Sequence, residues 1–495
     1  VNSTSLKILL VSAEVAPFVR TGGLADVVSE LPRALADLGH DVRVILPWYR
    51  NIAQQRIDAV LLRESVELGP GMPEDMPSTF GLRQGWLPSS KIPVYFVDQP
   101  AYFDRQGPYG DEQGDYRDNG DRFIFLARAV FAACQSLDFK ADVLHLNDWH
   151  GGMVPVYLRN SFREEALFKN TGSLYTVHNL AFQGLFPEWQ FARTGLDPEL
   201  FTTEGLEFYG QMNTLKGGLL FSDKINTLSP RYAEEIRNPE YGCGLEGVMR
   251  IREKDLSGII SGLDSVEWNP ATDVHLPVRY GPDSLDRKAD IKRALKKELG
   301  LPADDVPLVA MVSRLDAMKG LSLVEEIADY MVHLDLQFVL LGMGDARIQE
   351  NFRRLAETYP EKVSFRLAYD IPLAHRIAGG ADLSLMPSRF EPSGQSQLIS
   401  LRYGTVPVVR SVGGLADTVQ DYDARTGKGN GFAFSEYNSM ALFNSIQRAL
   451  EVYKDKAAWR RLQQAGMAED HSWLASARQY EKLYREIVDL HAQEA

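Results

Sequence analysis

The residues best placed to do chemistry lie between Ala381 and Val419. A short apolar run, Leu383 to Met386, leads into the polar turn Pro387-Ser388-Arg389-Phe390-Glu391-Pro392-Ser393-Gly394. Gln395 to Tyr403 follows, with Leu398, Leu401 and Arg402 at helical spacing. A carboxylate therefore stands just ahead of a helix start. The first N–H groups of a helix lack internal partners and carry the positive end of its dipole, so Gly394, Gln395, Ser396 and Gln397 suit a phosphate. Glu391 would then sit beside whatever that phosphate carries. If the group is a sugar, the carboxylate can order its hydroxyls or stabilise positive charge developing at the anomeric carbon. Residue types alone also allow a plainer reading, a solvated loop charge beside a helix-start glycine.

Two further groups have the same character. Arg314 and Lys319-Gly320 follow the strand-like run Leu308 to Val312; around such a turn the two cations can clamp a diphosphate, Arg as a fork and Lys as a point charge. Near the start of the chain, Arg20-Thr21-Gly22-Gly23-Leu24-Ala25-Asp26 lies between a buried strand from Lys7 and a helical pattern through Leu31, Leu35 and Leu38. Glycine at that turn lets backbone approach a ligand without a side-chain clash.

Polar residues also end successive strand-like runs. Val143 to Leu146 passes into Asn147-Asp148-Trp149-His150, Leu174 to Val177 ends at His178-Asn179, and Tyr109 falls in an aromatic and acidic cluster. An open parallel sheet offers such strand ends to a ligand. His145, His150 and His178 lack the spacing of a zinc site. The stretch Asp115 to Asp121 imitates a calcium loop, but Arg117 occupies a ligand position and Leu126 stands where the closing Glu belongs. No metal and no cofactor is expected.

With 495 residues, 44% of them apolar, the chain fits two or three globular domains. A formal net charge of −14 disfavours a nucleic-acid partner. No apolar run approaches the roughly 18 to 20 residues of a membrane span, and Val1 to Ser5 shows no charged-then-apolar leader pattern. Cys134 and Cys243 fit no metal or redox spacing and read as two reduced thiols.

The alternation of strand and helix implies an α/β fold with two doubly wound units. Ile259 to Pro270 reads as the linker between them, and Val66 to Pro100 as a Gly- and Pro-rich loop with short strands. Gly22-Gly-Leu-Ala-Asp26 recurs as Gly413-Gly-Leu-Ala-Asp417, which reads as one glycine turn before a helix in each unit.

With these motifs in order along nearly the whole chain, the sequence resembles the bacterial glycogen synthase and plant starch synthase family. The matching stretches are KILLVSAEVAPF, RTGGLADV, NDWH, TVHNL, WNPATD, SRLDAMKG, PSRFEPSG and LRYGTVPVVRSVGGLADT. The resemblance implies a GT-B fold of two Rossmann-like domains facing a deep cleft. Residues 1–256 would form the acceptor-side domain, completed by a C-terminal helix over 471–495, and residues 257–470 the nucleotide-sugar domain. It implies a retaining, metal-independent transfer of glucose from ADP-glucose to the non-reducing end of an α-1,4-glucan, whether glycogen, starch or a maltooligosaccharide. By position, Glu391, His178, Arg314 and Lys319 would be catalytic, His178 lying beside the anomeric carbon with its backbone carbonyl as one candidate group. Arg20, Gly22, Gly23, Arg314, Lys319 and Gly394 to Gln397 would bind the donor. Asp26, Tyr109, Asp148, Trp149, His150 and His178 would line the glucose and acceptor side. The expected location is the bacterial cytoplasm, or the plastid stroma for a plant or algal source.

The chain departs from the family pattern mildly at Leu263 in the linker and at Ser396, which keeps the hydroxyl of the family's Thr, and more sharply at three places. Arg20 stands where the family has Lys, Ser393 where it has Cys, and Gln395 where it has an apolar residue. These leave two competing expectations, a glucan-binding homologue with weakened catalysis and a UDP-glucose-using transferase of the same fold.

Overall fold

The computed structural model describes residues 5–55 and 57–493, so Val1 to Thr4, on which the leader reading rests, lie outside it. The chain divides into two compact units. The first runs to Leu228, resumes over Ala233–Gly262 and takes the chain from Trp473 onward; the second comprises Ser229–Tyr232 and Leu263–Ser472.

In chain order the strands of the first unit are β1 (Lys7–Val11), β2 (Asp41–Pro47), β3 (Val60–Glu67), β4 (Thr79–Trp86), β5 (Pro93–Asp98), the short hairpin β6 (Gly110–Asp111) and β7 (Gly114–Asp115), β8 (Val143–Asn147), β9 (Gly172–Val177), β10 (Leu185–Pro187), β11 (Glu207–Phe208), β12 (Gln211–Asn213), β13 (Lys224–Thr227) and β14 (Leu256–Gly258). Nine of them form one sheet in the order β14-β13-β9-β8-β1-β2-β5-β4-β3. All pairings are parallel except those of β4, which runs against both neighbours. The central strands β8 and β9 are buried at every position, as parallel strands covered on both faces must be.

The region 66–100 is more regular than its Gly and Pro content suggests. It contains all of β4 and β5, and β3 ends within it. These strands gave little signal because β3 is exposed at most positions and β4 carries Gly81, Arg83, Gln84 and Gly85. At a sheet edge the alternation of apolar and polar residues fades.

The helix Trp473–Gln493 returns to this first sheet, burying Trp473, Ala477, Tyr480, Tyr484 and Ile487. Its tyrosines satisfy polar groups inside the sheet. The His145 ring nitrogens lie 2.7 Å from the Tyr484 hydroxyl and 2.7 Å from Thr176 Oγ1, and Asn226 donates to the Tyr480 hydroxyl at 2.9 Å. Both His145 nitrogens are thus used structurally. Two acids of the calcium-like stretch are also engaged: Asp118 pairs with Arg105 at 2.6 Å and Asp121 with Arg193 at 2.6 Å.

The second unit is built on β15 (Leu308–Val312), β16 (Gln337–Gly342), β17 (Val363–Leu367), β18 (Leu383–Met386), β19 (Val406–Arg410) and β20 (Phe432–Phe434). Their order is β17-β16-β15-β18-β19-β20, parallel throughout. Val309, Leu340, Leu385 and Val408 of this sheet share one apolar core with Leu321, Val324 and Leu442 from flanking helices. The chain leaves β15 toward one edge and returns at β18 toward the other. At such a switch point the loops after the two strands diverge and open a crevice. The loops in question are those carrying Arg314 and Glu391. The first unit has the same arrangement where β1 lies between β2 and β8.

Replacing Tyr484 by Phe strands a buried His145 nitrogen. It should lower the stability of the first unit by about 1–3 kcal/mol, seen by calorimetry as a downward shift of that unit's transition alone.

Candidate active site

At the switch point of the second unit, the residues read from sequence as a phosphate and sugar site line one cavity of about 220 Å³. Its walls include Arg314, Lys319, Ser388, Glu391 and the segment Gly394 to Gln397. Lys319 Nζ donates to Glu391 Oε2 at 2.6 Å, and Ser388 Oγ donates to the same oxygen at 3.0 Å. The Glu391 side chain is only 13% exposed, so its charge is held by these two partners. Arg314 is freer, with a side chain 76% exposed and a contact of 3.5 Å to Asp316. Asp316 in turn accepts from the backbone N–H of Met318 and Lys319, fixing the turn from which Lys319 projects.

The Glu391 loop is held by backbone packed on backbone. Gly320, at φ +69°, leaves no room for a Cβ, which would fall 1.9 Å from the Pro387 carbonyl oxygen. From the other side, a Cβ on Gly414 would fall 1.8 Å from the Ser393 carbonyl oxygen, and Gly414 N–H donates to Glu391 O at 3.1 Å. Arg389 N–H donates to Met318 O at 2.8 Å. The two glycine echoes therefore differ. At Gly22 and Gly23 a Cβ would meet nothing within 4 Å, so that turn borders open space, whereas Gly413-Gly414 is a packing surface for the Glu391 loop.

The helix after this loop spans Ser396–Arg402, with Gln395 as its N-cap position. The Gln397 side chain is spent within the loop, donating to Ser393 O at 3.0 Å and Gly394 O at 2.9 Å. Its Oε1 is buried with no hydrogen-bond partner among the described residues.

The first unit gathers its candidates at the ends of β1, β8 and β9. Arg20 and Asp26 form an ion pair at 2.9 Å. Tyr109 stacks on His150 with ring centroids 4.6 Å apart, and Trp149 lies 4.1 Å from the same imidazole. Asp148 takes φ +49°, a left-handed conformation that is costly for a residue with a Cβ and is concentrated at functional turns. It places the carboxylate under the next strand end, where it accepts from His178 N–H at 2.7 Å. Burial pushes the Asp148 carboxyl up to about 7, opposed by the N–H groups of His178 and Asn179. Burial also pushes His178 down to about 3 and His150 well below its ordinary value, so both rings are neutral at physiological pH. His178 Nε2 lies 2.9 Å from Asn147 Oδ1, while its Nδ1 has no partner among the described residues.

One organising residue escaped the sequence reading. Glu14, 3% exposed, accepts from Thr21 N–H, from Thr21 Oγ1 at 2.6 Å, from Gly22 N–H at 3.3 Å and from the Tyr109 hydroxyl at 2.5 Å. It ties the glycine turn to the aromatic cluster. The only sequence signal for it was an acid at the end of a strand-like run, one turn before the two glycines.

The two doubly wound units, with cations and a carboxylate at one switch point and buried polar and aromatic groups at the other, define a glycosyltransferase of the GT-B class. Residues 7–251 match the starch synthase catalytic domain, and residues 292–464 match the glycosyl transferases group 1 family. The chain is 45% identical to the glycogen synthase of Moorella thermoacetica, covering 98% of this chain and 97% of that one, and 46% identical to the glycogen synthase of Anaeromyxobacter sp., covering 98% and 100%. Among solved structures, the catalytic domain of starch synthase IV from Arabidopsis thaliana, bound to ADP and acarbose, superposes with a TM-score of 0.88 at 33% identity, covering 98% of this chain and all of that domain. The chain belongs to the glycogen synthase and starch synthase family, and it is a glucan-elongating glycosyltransferase.

Two expected outcomes test the site geometry. Gly414→Ala pushes the Glu391 loop away from its seat and should reduce kcat about 10²-fold while leaving the far-ultraviolet circular dichroism unchanged. The second concerns Asp148, whose folded pKa lies above its unfolded value, so the native state keeps a proton that the unfolded chain has released. Its contribution to stability therefore falls as pH rises from about 4 to about 7 and is level above that. Asp148→Asn should remove this slope from the urea midpoint measured across the same range.

Proposed function

We propose that the donor is ADP-glucose and that glucose passes, with retention, to the non-reducing end of an α-1,4-glucan. The observation that carries this reading is the cavity that brings the Lys319–Glu391 pair, Arg314 and the Gly394 to Gln397 backbone to one switch point. The starch synthase IV domain, whose structure holds ADP and acarbose, supports a nucleoside diphosphate and an α-glucan as the ligand classes. Cytoplasmic residence belongs to the same reading.

In this reading Arg314, Lys319 and the amides of the helix start hold the diphosphate. Charge builds on that diphosphate as the bond from its oxygen to the anomeric carbon breaks. Lys319, held against Glu391, and Arg314, reaching in from solvent, stabilise it, which is the work a metal ion would otherwise do. Glu391 faces the transferred glucose, ordering its hydroxyls and favouring the positive charge that develops on the ring. The glucan O4 forms the new bond, its proton leaves with the departing phosphate, and ADP is released. Tyr109, Trp149 and the neutral His150 offer flat apolar surfaces to sugar rings. The Asp148 carboxylate and the neutral His178 are groups for sugar hydroxyls, and Arg20, Gly22, Gly23 and Asp26 serve the donor and glucose through the open turn.

Labelled glucose should pass from ADP-glucose to glycogen in the presence of EDTA, with UDP-glucose measured in parallel. Lys319→Ala and Glu391→Gln should each lower kcat by about 10²- to 10³-fold. Equal transfer from UDP-glucose would refute the donor assignment, and loss of transfer in EDTA would refute metal independence.

A further inference from the structure

A cavity of about 60 Å³ in the second unit is walled by Ala374 and Ala378 of the helix Ile371–Gly380, by Ile399 and Ser400 of the helix Ser396–Arg402, and by Trp268. It shares Leu385, Met386 and Ser396 with the cavity of the candidate active site. Side-chain packing therefore leaves a gap beside the helix whose start lines that site. A helix bordered by a void lacks contacts on that side and keeps its place only if something else holds it.

What holds it is polar and lies at its far end. The buried Lys288 ammonium donates to Gly379 O at 2.8 Å, to Thr405 Oγ1 at 3.0 Å and to Tyr403 O at 3.1 Å. Gly379 belongs to the last turn of the first helix, and Tyr403 is the C-cap position of the second. Each helix C-terminus carries about half a negative charge, so two of them together match one ammonium. Among the described residues no carboxylate bonds to Lys288, and Asp382 is engaged by Lys292 at 2.6 Å and by Leu308 N–H at 2.8 Å. The Tyr280 hydroxyl donates to Tyr403 O as well, at 2.6 Å. A second tie comes from Asp273, which accepts from the Tyr403 hydroxyl at 2.6 Å and lies 2.8 Å from His375 Nδ1 on the first helix. Trp268 stacks on that imidazole with ring centroids 3.8 Å apart.

We infer that Lys288 is a positioning residue for donor binding: by gathering the C-terminal carbonyls of both helices it sets where the helix Ser396–Arg402 begins, and so where the Gly394 to Gln397 amides meet the diphosphate. The inference rests on the reading of that segment as the diphosphate's seat. The ammonium charge is the acting element, because a neutral side chain of similar length leaves two helix ends with their partial negative charge uncompensated. Burial pulls the Lys288 ammonium down to about 7, opposed by Asp382 and reinforced by Lys292. The other titratable groups facing it are Tyr280, Tyr403 and, beside Tyr403, the Asp273–His375 pair. The charge is present below about 7 and lost above it, so the hold on the helix loosens as pH rises.

The experiment compares Lys288→Met with the unaltered chain by steady-state kinetics from about pH 6 to about pH 9 and by amide hydrogen exchange. At the acid end the variant should show about a tenfold higher KM for ADP-glucose, with kcat and the KM for glycogen unchanged and faster exchange confined to residues 394–402. In the unaltered chain KM for ADP-glucose should climb toward the variant's value as pH rises through about 7, and in the variant it should be flat. An unchanged KM for ADP-glucose, or a climb that persists in Lys288→Met, would overturn the inference. Exchange raised evenly across the second unit would also overturn it, since that marks a merely structural role. Thr405→Val keeps the charge and removes one of its oxygen partners, which covers the case of a Lys288→Met chain that does not fold. The climb should then move to lower pH, and an unmoved climb would count against Lys288. If the unaltered chain transferred no glucose from ADP-glucose, the donor reading would fail, while faster exchange confined to 394–402 would still support the positioning role.

Discussion

The absence of two side chains sets the position of the carboxylate. Glu391 rides on an irregular loop that no strand or helix holds, and such a loop would ordinarily be the least certain place for a charged group. Gly320 and Gly414 remove that freedom by letting two turns press backbone against the Pro387 and Ser393 carbonyls from opposite sides. The 2.6 Å approach of Lys319 to Glu391 follows from this grip, because the turn that bears the lysine also seats the loop that bears the acid. The amides at Gly394 to Gln397 are aimed by the same loop.

The two switch points use the same topology for opposite electrostatics. In the second unit the cations remain in contact with water, where they can meet a highly charged ligand and release it again. In the first unit burial strips charge from the groups at the strand ends: His150 and His178 are neutral, and Asp148 holds its proton far above the ordinary carboxylate range. Neutral rings and a half-protonated acid discriminate poorly between ions but well between shapes and hydroxyl patterns. Glu14 is the exception, a buried acid satisfied by four donor groups, and its role is to hold the turn at Thr21 and Gly22 against Tyr109.

Much of this was legible in the sequence where the physics is local. Buried parallel strands announce themselves as largely apolar runs, so 308–312 and 383–386 emerge with the bounds that the structure shows. The cavity residues were legible because the polar turns follow those strands directly. The edge strand β3 and its neighbour β4 were obscured, since β3 has one partner and is exposed at most positions, and β4 carries Gly81, Arg83, Gln84 and Gly85. Long-range consequences were also hidden. Residue types make Gly22-Gly23 and Gly413-Gly414 look alike, and only the packing separates a turn facing open space from one that seats a loop. The side-chain role of Gln397 and the linking role of Glu14 depend on partners that spacing does not reveal.

The returning helix has a consequence for how the molecule is made. Trp473–Gln493 supplies the buried Tyr480 and Tyr484 hydroxyls that pair with Asn226 and His145 in the first unit's sheet. During synthesis from the N-terminus, that sheet waits for a segment made after the whole of Leu263–Ser472. The later half of the chain therefore has every part of its own core before the earlier half does. The unit begun first is finished last, and until it is finished two polar groups inside its sheet stay without their partners.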